Sequence, residues 1–173
     1  MPSWLPRATI YSLLVLAISA GVFADRLSGV WLAKKLRTHA ELEPDIDRAV
    51  SSVKRLAQLE DSGWLQLVNL LEAPVERVWV ADEARRQLVD KIESWRKLPS
   101  DRSAAKVQRL AARLRRVSED WGDDTTVFAG RVAQTLLRWP IPPADRTDDL
   151  IADCEYLMHR AASVPKLDVE TPE

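Results

Sequence analysis

The chain has 173 residues, 46% of them hydrophobic and 29% charged, with a formal net charge of −1. That balance fits one folded domain, or an anchor plus a small domain, and excludes a disordered polymer. Near-neutrality removes any global pull toward nucleic acid, and the single cysteine, Cys154, cannot form an intrachain disulfide. Ala, Leu, Arg, Glu and Asp dominate and glycine is scarce, so the predicted class is all-α.

Residues Ala8 to Ala24 carry no charge. Seventeen residues of helix span about 26 Å, just short of the ~30 Å hydrocarbon core of a bilayer. Trp4 and Trp31 flank the run, and tryptophan favours both membrane–water interfaces, so residues 1–38 are predicted as a transmembrane anchor with a juxtamembrane helix. A cleaved secretory signal is the competing reading, with Val22-Phe23-Ala24 before Asp25 as the cleavage site. Arg26, Lys34, Lys35 and Arg37 after the run outnumber Arg7 before it, which places the following domain on the cytoplasmic side; a cleaved signal places it in the periplasm or outside. Ala17, Gly21, Ala24 and Ser28 recur at spacings of four, three and four, a small-residue stripe suited to close packing of membrane helices.

Residues 39–164 read as a helical bundle of about five to six helices, and 165–173 as a flexible tail. A helix opens near Pro44 and presents Ile46, Ala49, Val50, Val53, Leu56 and Ala57 on one face, until Asp61-Ser62-Gly63 breaks it. A short apolar helix, Trp64 to Leu71, follows. Pro74 restarts the chain into a long helix, Val75 to Leu98, with Val78, Leu88, Ile92 and Trp95 inward. Asp82 with Arg86 and Glu93 with Lys97 sit four apart on its outer side.

After Pro99, Ser100 or Asp101 caps the most regular helix of the chain. Val107, Leu110, Leu114, Val117 and Trp121 form its apolar stripe, and Gly122 is placed to end it in a left-handed conformation. Asp123 or Asp124 then caps a helix carrying Val127, Phe128, Val132, Leu136, Leu137 and Trp139. Asp145 caps the last helix, with Leu150, Ile151, Cys154, Leu157, Met158 and Ala161 apolar.

Charge is spread unevenly. Asp101 to Arg116 carries six basic residues and one acidic, whereas Glu119 to Glu173 carries twelve acidic and five basic. Arg102, Lys106, Arg109, Arg113 and Arg116 therefore make a candidate partner surface, or pair internally with the acidic C-terminal helices. Trp64 and Trp79 are candidate interface anchors, and His39 is expected at the surface.

Cys154 and His159 lie five apart and do not share a helical face, and the carboxylates at Asp145, Asp148, Asp149, Asp153 and Glu155 follow no calcium-loop spacing. There is no phosphate loop and no serine elbow. The sequence thus points to a protein without catalysis, cofactor, metal or small-molecule substrate. It meets membrane lipid and protein partners or itself, with nucleic acid an improbable ligand. Its expected role is an accessory or scaffold subunit of a membrane complex. An exported helical binding protein, and a hydrolase built on Asp148, Asp149, Asp153 and Glu155, are the alternatives.

Overall fold

The structure, a computed structural model, describes residues 28–142 and 147–165. Among them are seven α-helices and no strand. Helix α1 covers 28–42, followed by α2 (Ile46–Gln58), α3 (Asp61–Asn69), α4 (Val78–Trp95), α5 (Ser100–Val117), α6 (Asp123–Leu137) and α7 (Asp148–Ser163). Short 3-10 turns, Val75–Arg77 and Ser118–Asp120, precede α4 and follow α5. No helix among the described residues is long and apolar enough to cross a membrane. The run predicted as an anchor, with Trp4, Ala17, Gly21 and Ala24, lies outside the described residues.

The helices form one bundle around a core of small and branched side chains with three tryptophans. Trp64 from α3 and Trp95 from α4 meet edge to face, ring centroids 5.5 Å apart at 74°. Both are essentially inaccessible, as is Trp139 after α6. Such pairs add a directional contribution to their large apolar burial. Trp64 is therefore core rather than an interface anchor, and the indole of Trp79 packs half-buried against that core.

Helix α5 buries Val107, Leu110 and Leu114 of the predicted stripe together with Ala104 and Ala111, whereas Val117 is half-buried at its last position and Trp121 lies beyond its end. The boundaries around it differ from expectation. It begins after Pro99 with no side-chain cap, and it ends at Val117 through a 3-10 turn. Gly122 takes extended backbone, φ −68° and ψ 173°, and starts α6 instead of closing α5. Asp123 and Asp124 follow it in the first turn of α6, where the helix dipole favours anions. The cap of α7 is Thr147, whose hydroxyl accepts from the Leu150 N–H at 3.3 Å.

Two glycines are set by close approach. Asp61-Ser62-Gly63 does not break the chain but forms the first turn of α3, and a Cβ at Gly63 would overlap the backbone carbonyl of Leu56. The methyl group it lacks lets α3 fold back tightly on α2. A Cβ at Gly130 would overlap that of Ala161, so the close approach of α6 and α7 at that level requires glycine.

Helix α1 is held differently. Its inward residues are the fully buried Ala33 and Ala40, with Leu36 partly buried, while Trp31 and Leu42 point outward. The Arg77 guanidinium donates to the carbonyls of Glu43 at 3.0 Å and Leu42 at 3.3 Å, satisfying acceptors that the end of α1 leaves open. The helix runs through residue 38 without interruption.

Elsewhere local pairing follows the three-residue spacing. Asp82 pairs with Arg85 and Glu93 with Arg96, not with the residues four ahead. Val78 and Ile46, assigned inward from the sequence, are about half exposed.

Candidate functional site

The basic side chains of α5 divide into two groups by the direction in which the helix aims them. Lys106, Arg109 and Arg113 lean toward α3. Asp61, in the first turn of α3, accepts from Lys106 and, at 2.9 Å, from Arg109, and it also faces the Trp64 indole N–H at 3.4 Å. Arg113 donates to the side-chain carbonyl of Asn69 at the far end of α3. Partial burial pushes the Asp61 carboxyl up. The Lys106 hydrogen bond and charge, the indole N–H and the Arg109 charge together outweigh it and hold the group below the ordinary carboxylate value of 3.8. This side of α5 is a structural clamp on α3.

Arg102 and Arg116 lie on the outer face of the helix and make no ion pair among the described residues. Among the described residues, the one ion pair from α5 to the acidic C-terminal region belongs to Arg115, outside the predicted stripe. It donates to Asp153 on α7 at 2.8 Å, and its guanidinium lies 5.1 Å from the Tyr156 ring centroid. The hydrogen bond to Asp153 raises the Arg115 pKa above that of an ordinary guanidinium. Arg160 returns from α7 to the carbonyl of Ser118 at the end of α5. Among the described residues, the internal partners of the basic side chains of α5 are thus mainly on α3, with a single lateral bond from Arg115 to α7.

The outer face of α1 is the second surface. Trp31 is 63% exposed and Leu42 70% exposed, and between them lie Lys35 and Thr38, also exposed. The Lys35 ammonium sits 5.1 Å from the Trp31 ring centroid. An open groove of about 630 Å³ follows this face and includes Lys34, His39 and Pro44. His39 is at the surface, as expected, hydrogen-bonded to the Ser52 hydroxyl at 3.0 Å and paired with Glu43 at 3.1 Å. A second groove, about 990 Å³, separates the start of α1 from the α2–α3 corner; Val30, Leu32, Leu59 and Leu65 line it, with Arg109 at its rim.

Set against known proteins, the chain matches no family model, no curated protein and no solved structure. The functional reading therefore rests on its own geometry.

The acidic residues of α7 do not converge. Asp153 is engaged by Arg115 and nearly buried, whereas Asp148, Asp149 and Glu155 face outward. Among the described residues no three His, Cys, Asp or Glu side chains are grouped to hold a metal ion. Cys154 is fully buried, and desolvation, with the Asp153 charge beside it, pushes its thiol up to about 12. A thiol held in that form is a poor nucleophile. His159 is on the exposed side of the same helix.

The predicted partner-surface residues are thus only partly brought together. Arg102, Arg109 and Arg116 share one exposed line, although Arg109 also joins Lys106 and Arg113 in the α3 clamp through Asp61. The sequence marks Trp31 as a membrane-interface residue but does not show the exposed aromatic and aliphatic face that it shares with Leu42 on α1. Its signal was the spacing of Trp31, Lys35, Thr38 and Leu42 at four, three and four.

Proposed function

We propose that this is a non-catalytic, single-pass membrane-anchored helical protein, an accessory or scaffold subunit of a membrane complex. Residues 8–24 hold it in lipid, and the bundle lies on the cytoplasmic side. The observation that carries this reading is the outer face of α1. In sequence, Ala17, Gly21, Ala24 and Ser28 continue at alternating spacings of three and four through Trp31, Lys35, Thr38 and Leu42. That alternation is the one by which two helices keep a common face over many turns. Small residues within the apolar run suit close helix packing in lipid. The bulkier exposed residues of α1 suit continued packing in water, where burying a tryptophan or leucine contributes on the order of 1.5–3 kcal/mol.

The test is extraction of native membranes with mild detergent. The intact chain should remain with the membrane under alkaline carbonate washing. After solubilisation it should migrate with a partner or with itself, and Trp31→Ala and Leu42→Ala should weaken that association. A chain that migrates alone counts against the subunit role. Val22-Phe23-Ala24 keeps a second reading in play, an exported binding protein. An intact mass beginning at Asp25 would establish it and remove the anchor.

A further inference from the structure

Two exposed helix faces of this chain are complementary to each other and cannot meet within one molecule. On α5, Arg102, Ala105, Arg109, Ala112 and Arg116 are all exposed and follow spacings of three, four, three and four. On α7, Asp148, Ala152, Glu155, His159 and Ala162 are all exposed, at spacings of four, three, four and three. Each ridge covers fourteen residue steps, about 21 Å of helix. Arginine alternates with alanine on one, and carboxylates alternate with alanine and histidine on the other. Arg102, Arg116, Asp148 and Glu155 make no ion pair among the described residues, and Arg109 commits one nitrogen to Asp61. Helices α5 and α7 are neighbours in the bundle, joined by Arg115 and Asp153 beneath these ridges, so both ridges look outward.

We infer that this surface is an interface between two copies of the chain, the arginine ridge of α5 lying against the acidic ridge of α7 from the second copy. Charge complementarity selects that occupant. The basic ridge has an acidic counterpart of equal length and matching period on the same polypeptide. In either direction of the second helix, Arg109 falls opposite Glu155 at the centre. The alanines let the two backbones come near enough for guanidinium and carboxylate to bond directly, within the 8–10 Å usual between packed helix axes. Because each copy carries both ridges, the contact is reciprocal, as a two-fold pair requires. Two such contacts cover on the order of 800 Å², below the ~1,200 Å² of a stable interface. The association is accordingly weak and salt-sensitive, and confinement of both copies to one membrane strengthens it.

The experiment uses the full chain in mild detergent, read by sedimentation velocity at about 0.05 M and 0.5 M salt. A concentration-dependent dimer should be resolved at low salt and fall at least threefold in population at high salt. Glu155→Arg, on an outward side chain with no partner of its own, should reduce the dimer at low salt to a similar extent. Arg109→Glu should do the same while also losing the Asp61 contact. The double variant R109E/E155R should recover dimer beyond either single change. A monomer at low salt overturns the inference, as does a dimer that Glu155→Arg and salt leave intact. The second result leaves association through the α1 face standing, so the two ideas fail separately.

Discussion

Helix α1 and the α6–α7 pair sit in the same bundle and are built by opposite rules. At α6–α7 the small residues face each other: Gly130 lies against Ala161, and the surrounding leucines and valines close over them. At α1 the fully buried positions are small, with Leu36 partly buried beside them, and Trp31 and Leu42 face out. Ala33 and Ala40 are fully buried, while Trp31 and Leu42 are among the most exposed apolar side chains described. A helix with only its own bundle to serve turns its large apolar residues inward. The reversal in α1 teaches that its inner face is set by close fit, while its outer face keeps large apolar surface that the bundle does not cover.

The sharpest way to break this comparison is at Gly130. Gly130→Val forces α6 and α7 apart and should cost about 3 kcal/mol, at the upper end of overpacking penalties, measured by denaturant unfolding. Ala40→Leu tests the same rule at the inner face of α1 and should cost about 1–3 kcal/mol. Leu42→Ala, two residues later on the outer face, should change stability by less than about 0.5 kcal/mol while weakening association. If Leu42→Ala proves as damaging as Ala40→Leu, the outer face is not free and the comparison collapses.

Asp61→Asn probes the clamp between α3 and α5. Its pairs are partly exposed, so the loss at neutral pH should be near 1 kcal/mol or less. The pH dependence is more telling. A carboxyl held below its unfolded value of 3.8 contributes stability above that pH, and the contribution is lost as pH falls through the lowered folded value. The native chain should therefore lose stability below about pH 4 by an increment that Asp61→Asn lacks, as read from urea midpoints.

The smallest effect concerns Cys154. With its thiol raised to about 12 and its side chain buried, it should not react with a thiol reagent at pH 8 until the chain unfolds. Labelling in the folded state at the rate of a free thiol would contradict the packing of α7.

How much of this was legible beforehand follows from the range of each interaction. The all-α class and the inward stripe of α5 come from spacing within one helix, and both were readable. The start of α3 was misread because glycine after Asp61-Ser62 looks like a stop. Its reason is the Leu56 carbonyl, brought near only when α3 folds back on α2. The end of α5 was misread for a related reason, since Gly122 serves the helix that follows. Bulk charge left the α5 cations either as a partner surface or paired with the acidic C-terminal helices, whereas three of them turn to α3, with Asp61, 45 residues from Lys106 in the chain, as the main acceptor. Such a pairing depends on which helices become neighbours, and composition does not encode that. The outward line of Arg102, Arg109 and Arg116 was visible as part of a longer stripe. Separating it from Lys106 and Arg113 required knowing where α3 lies.

The hold of Arg77 on the last carbonyls of α1 has a mechanical corollary. It welds the far end of that helix to the turn that launches α4, across a chain separation of about thirty-five residues. A bend at the Glu43-Pro44 joint would have to break these two bonds, so the orientation of α1 is tied to the start of α4 as well as to its own connection to α2.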